Sequence, residues 1–174
     1  MKRLMLSVLA RMHRTSTLQE FLAVHPNCWL VWEPGAWKPP SPNGPTVPDF
    51  RAPSQAPRPG EALAFGFPLD AGQVTLGRTP SCDIEINDAT ISQLHLSFMK
   101  SSANLWTVRD AGSTNGTWLG EQRLARGVPH LLGNAARIHA GQVALTFYTP
   151  GELLPRLRDL QVAKAAGTGH TTSP

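Results

Sequence analysis

The sequence is poor in charge, in cysteine and in long apolar runs. Only 16% of its 174 residues are charged, and its two cysteines, Cys28 and Cys82, stand far apart with no CxxC pair. That pattern neither demands a disulfide nor builds a metal centre. The six histidines are scattered without ligand spacing. No stretch reaches the roughly 20 apolar residues of a membrane-spanning helix. The opening MKRLMLSVLA starts like a signal peptide, but Arg11, His13 and Arg14 end its apolar run and no small-residue cleavage site follows. A short amphipathic helix is expected there, and a reducing, cytoplasmic compartment for the chain. Paired carboxylates, a nucleophile–base arrangement and a GxxxxGK phosphate loop are also absent, so the reading is not an enzyme and no cofactor is expected.

What the chain does have is proline and glycine, 16 and 15 of them, beside 41% hydrophobic residues. Such a chain has a core, many turns and few long helices. Its net charge of +4 is uneven: residues 1–60 hold seven basic and three acidic side chains, whereas 61–150 hold six basic and seven acidic. The basic character belongs to the flanks, so a nucleic-acid face on the central region is not expected.

Four regions follow from composition. Residues 1–32 read as a partly ordered segment. Ser16 and Thr17 precede Gln19 and Glu20 in capping-box spacing for a short helix ending near His25-Pro26, and Cys28–Trp32 has strand character. Residues 33–60 hold nine of the sixteen prolines and read as an extended linker, since proline fixes φ and removes a donor. Residues 61–149 alternate short apolar runs with turn signals. Ala62–Phe67, Gln73–Gly77, Ile84–Ile86, His95–Met99, Leu105–Val108, Thr117–Leu119, Arg137–His139 and Val143–Phe147 read as strands of an all-β, antiparallel sandwich. Residues 150–174 read as a short helix, with an apolar stripe from Leu153 to Val162 and Pro155 in its first turn, and a disordered tail.

Three pieces of the β region carry chemistry: Leu76-Gly77-Arg78 at a strand end, Ile91-Ser92-Gln93-Leu94-His95 entering a strand, and Asp110-Ala111-Gly112-Ser113-Thr114-Asn115-Gly116-Thr117 in a turn between strands. Brought to one end of a sandwich, an arginine offers a planar fork of donors to a phosphate. A serine hydroxyl adds a neutral donor, and an asparagine can donate to and accept from the main chain of an extended peptide. One arginine with neutral donors suits a single phosphate better than a nucleic-acid backbone.

Gly-Arg, then Ser-x-x-His, then Ser-Thr-Asn-Gly-Thr resembles the forkhead-associated (FHA) domain, and Ser81–Ile86 resembles that family's segment between its first two motifs. The resemblance covers about residues 61–149. It implies that Arg78 and Ser92 bind the phosphate, that Thr114 lines the phosphothreonine site and that Asn115 holds the ligand backbone. Gly77, His95 and Gly116 are implied to be architectural. Gln93 falls where the family often has Arg, Lys or Asn, and its neutrality forgoes a charge-assisted bond of about 1–2 kcal/mol.

The resemblance implies a phosphothreonine-dependent adaptor in Ser/Thr kinase signalling. Its partner is a protein or peptide carrying phosphothreonine, from a Ser/Thr kinase or a kinase substrate, with no nucleic acid and no membrane span. The alternative is a phosphate-independent FHA scaffold within a larger assembly such as a secretion or signalling complex. That alternative is motivated by the tryptophan-rich 28–37 segment and the leucine-rich 153–162 stretch.

Overall fold

A computed structural model describes residues 2–38, 57, 58 and 61–167, with side chains up to Gln161. Most of the expected 33–60 linker lies outside the described residues, as does 168–174. Along the chain run β1 (Lys2–Met5), α1 (Leu6–Met12), α2 (Leu18–Val24), β2 (Trp29–Ala36), β3 (Leu63–Gly66), β4 (Gln73–Gly77), β5 (Ile84–Glu85) and β6 (Leu96–Lys100). They are followed by β7 (Trp106–Asp110), β8 (Thr117–Leu119), β9 (Gln122–Arg123), β10 (His130–Leu131), β11 (Ala136–Ala140), β12 (Val143–Tyr148) and α3 (Pro150–Gly167).

The strands form two sheets, one in the order β1-β3-β2-β12-β11-β8-β9 and the other β10-β7-β6-β4-β5. Leu30, Phe65, Ile138 and Leu145 of the first meet Val74, Leu76, Phe98 and Val108 of the second in a shared buried core, which makes a sandwich. The expected antiparallel order holds except at β4 and β5, which pair in parallel. The cause is Asp83, whose carboxylate accepts the Thr75 N–H at 2.8 Å and its hydroxyl at 2.7 Å and so draws the chain back alongside β4.

The sheet reaches outside the 61–149 span expected for it. β2 lies inside the first sheet, between β3 and β12, and β1 is its edge. The first half of β2, Trp29–Trp32, reads as an unbroken apolar run because both its faces are buried. Leu30 and Trp32 point into the sandwich, while Trp29 and Val31 face a second core with Leu6, Leu9, Phe21, Leu153, Leu154 and Leu157. The three helices thus cover the outer face of the first sheet.

Two expectations fail here for physical reasons. Glu33–Ala36 were assigned to the linker, yet β2 continues through them. Pro34 and Gly35 (φ +90°) fall where the ladder with β12 shifts register, between Trp32↔Leu145 and Ala36↔Val143, and such an irregularity tolerates a residue without an N–H. The opening residues were expected to be helical. Instead Lys2–Met5 pair with β3, and the helix starts at Leu6, whose N–H donates to Ala62 O. α2 follows its sequence signal: Thr17 is the N-cap, its hydroxyl accepts the Glu20 N–H, and Glu20 Oε2 accepts the Thr17 N–H. α3 starts at Pro150, which places Pro155 in the second turn and not the first.

Candidate functional site

The three sequence pieces come together at one end of the sandwich, and main-chain bonds assemble them. The Arg78 N–H donates to Ser92 O at 2.9 Å, and the His95 N–H to Leu76 O. Ser92 then reaches the third piece. Its Oγ accepts the Thr114 N–H at 3.0 Å and donates toward Thr114 Oγ1 at 3.4 Å. Arg78, Gln93 and Thr114 are exposed, and Ser92 and Asn115 half-buried. Asn115 Nδ2 donates to Thr90 O at 2.8 Å, which anchors the side chain. The Arg78 guanidinium has no carboxylate partner among the described residues, where the ion pair is Arg156–Glu33.

His95 braces two of the loops. Its Nδ1 accepts the Ser92 N–H at 3.1 Å, so the proton of the neutral ring sits on Nε2, which donates to Gly116 O at 3.2 Å. Burial lowers its pKa against the opposing pull of the Gly116 carbonyl and of Asp110. A proton on Nδ1 would remove the acceptor that holds Ser92. Gly77 is the narrow point behind Arg78: a Cβ there would lie 2.0 Å from Gln93 O. In the Asn115-Gly116 turn the positive φ falls on Gly116, at +85°.

Two buried nodes hold the loops in place, and sequence reasoning missed both. Asp110 is fully buried; its Oδ1 accepts the N–H groups of Gly112 and Ser113, and its Oδ2 the hydroxyls of Ser113 and Thr117. Burial pushes its pKa up, but these four bonds outweigh burial and hold it below the usual value. Thr90 is the second node. Asp88 Oδ1 accepts its N–H and hydroxyl, and Thr90 itself accepts from Gln142 N–H and Asn115. Gly141 closes against it, since a Cβ there would lie 2.6 Å from Thr90 O. The signal for both nodes was an acid two or three residues before a Ser or Thr, the spacing of local side-chain-to-backbone turns.

Trp118 packs against two neighbouring side chains. Arg123 lies 5.3 Å over its ring, and Trp37 sits between it (5.0 Å) and His139, on which Trp37 stacks at 4.0 Å. Cys28 and Cys82 are free thiols, and Cys82 Sγ donates to Gln93 O behind the site.

The model of the FHA domain family matches residues 74–141, the part of the sandwich that carries these loops. Among curated proteins, the chain is 34% identical over 83 residues to the glycogen accumulation regulator GarA of Mycobacterium tuberculosis (strain ATCC 25618 / H37Rv), covering 48% of this chain and 49% of that protein. It is 33% identical over 81 residues to the oxoglutarate dehydrogenase inhibitor of Corynebacterium jeikeium (strain K411), covering 47% and 54%. The chain therefore spans about half the length of the curated relatives it matches. Among solved structures, the FHA domain of an Arabidopsis thaliana hypothetical protein superposes with a TM-score of 0.49 at 22% identity, over 71% of this chain and 86% of that one.

Proposed function

We propose that the loop end of the sandwich binds phosphothreonine peptides and that the protein is a cytoplasmic adaptor in Ser/Thr kinase signalling, without catalysis of its own. One observation carries the reading: Arg78, Ser92, Thr114 and Asn115, from three separate loops, come together, and among the described residues no carboxylate neutralises the Arg78 guanidinium. In the bound complex Arg78 and the Ser92 hydroxyl hold the phosphate, which carries about −1.5 to −2 charge. Thr114 borders the threonine and Asn115 fixes the ligand main chain. Two curated relatives are named a regulator and an inhibitor, names that fit control of another protein by binding.

Trp29, Leu153, Leu154 and Leu157, which motivated the scaffold alternative, are buried against the first sheet, which favours the phosphothreonine reading over it.

Titration calorimetry with phosphothreonine peptides of varied flanks, against their unphosphorylated forms, tests the proposal. Wild type is expected to bind phosphorylated peptides alone, and Arg78→Ala to weaken binding about tenfold or more. Equal binding by Arg78→Ala, or none by wild type, overturns it.

A further inference from the structure

The phosphate site has one cation from the sequence motifs and a neutral Gln93 beside it. The structure supplies a second cation that no motif marks. Arg126, in the connection from β9 to β10, donates from Nη2 to Ser113 O at 2.9 Å. Its main chain is fixed as well: it forms a parallel bridge with Asp110, and the N–H of Gly127 donates to Asp110 O at 2.8 Å. The side chain is exposed, and no carboxylate pairs with it among the described residues.

The position of this guanidinium follows from one peptide group. The Ser113–Thr114 unit is trans, so its carbonyl and N–H point to opposite edges. The N–H edge meets Ser92 and the carbonyl edge meets Arg126. Arg126 therefore stands one peptide group and two hydrogen bonds from the phosphate-side hydroxyl. That span corresponds to roughly two residues of an extended ligand, at about 3.3 Å each. The tether uses one of five donor N–H groups and leaves the rest of the planar fork for an anion. Residues 61–150 carry six basic and seven acidic side chains, so an arginine held in place among them acts locally, within a Debye length of about 8 Å at physiological salt.

We propose that Arg126 is a specificity-determining residue of the same site, which selects phosphothreonine ligands bearing a second negative group, carboxylate or phosphate, within about two residues of the phosphothreonine. The inference rests on the phosphothreonine reading. It also makes the site a two-cation reader, with Arg78 for the phosphothreonine and Arg126 for the second group.

The test is a cycle of protein and peptide variants measured by calorimetry at about 0.15 M salt. Wild type, Arg126→Gln and Arg126→Lys each meet four phosphothreonine peptides: neutral flanks, Glu pairs on the N-terminal side, Glu pairs on the C-terminal side, and a second phosphorylated residue. Wild type is expected to prefer at least one acidic peptide over the neutral one by about fivefold, the ratio that an exposed charge pair gives. Arg126→Gln loses that preference while still binding the neutral peptide, and Arg126→Lys keeps part of it. The Glu and phosphate arms distinguish the two sources of charge. If wild type shows no acidic preference, or Arg126→Gln keeps the preference in full, the inference is overturned. So it is if Arg126→Gln weakens all four peptides equally, which makes Arg126 a support of the loop. If wild type binds no phosphothreonine peptide, the underlying reading fails and takes this inference with it.

Discussion

The loop end of the sandwich and its helix-covered side bury their groups in opposite ways. At the loop end the buried side chains are polar, and Asp110, Thr90, His95, Ser113 and Thr117 are hydrogen-bonded to one another or to main chain. On the helical side the buried side chains are apolar, and the indole N–H of Trp29 has no partner among the described residues. The polar exception there is the pair His13 and His25, whose Nε2 atoms lie 3.0 Å apart beneath Phe21 and Trp29. One region is specified by the direction of its bonds and the other by the volume of its side chains. The first is expected to reject isosteric changes and the second to tolerate them.

The largest effect is expected where volume is removed. Trp29→Ala should cost about 3–5 kcal/mol in urea unfolding, because it empties a site between sheet and helices. A cost under about 1 kcal/mol would show that the helical layer is not part of the cooperative unit. Asp110→Asn should come next, at about 3 kcal/mol, although its shape is conserved. An amide nitrogen placed at Oδ2 would face two hydroxyl donors, or at Oδ1 two N–H groups. The same variant should lose phosphopeptide affinity, since Ser113 and the turn behind Thr114 lose their anchor; unchanged affinity would break the comparison.

The third prediction concerns pH and both regions. His25 has its pKa lowered to about 4 by burial, then by Lys2 and by His13, and burial lowers His13 and His95 as well. Unfolded histidines take protons near 6.5, above these folded values. The stability they contribute is therefore complete above about pH 6.5 and lost as pH falls toward 4. Urea unfolding from pH 7.5 to 4.5 should show this decline. A flat profile would mean that the His13–His25 pair is open to solvent. The smallest effect is expected for Leu153→Met, which keeps volume on the helical side and should cost less than about 1.5 kcal/mol by the same measurement. A cost equal to that of Asp110→Asn would erase the distinction.

The two regions also differ in how far the sequence announces them. The meeting of Arg78, Ser92 and Asn115 at one end of the sandwich was legible because their motifs fall in turns between strands. The Thr17–Glu20 cap and most strands of 61–149 were legible because they depend on local spacing. Asp110 was not, because an acid at a strand end reads as a solvated turn unless one knows that four donors converge on it. Arg126 carries no motif at all, and its place depends on a bridge between segments distant in sequence. On the other side, β2 was read only in part. Its apolar run was visible as a strand, but Pro34 and Gly35 read as linker, and only the register shift opposite β12 explains how they continue a sheet.

That same strand constrains the order of events when the chain folds. Trp29 pairs with Tyr148 and Trp32 with Leu145, so β2 cannot complete its ladder until β12 has been synthesised. Residues emerge from the ribosome at about 5–20 per second, and the apolar Trp29–Trp32 edge therefore stays unpaired on that side for seconds. Contacts so remote in sequence also slow folding of the finished chain, because the loop must close before the pairing repays it. The interior place of β2 makes completion of the C-terminal strand the step on which the first sheet depends.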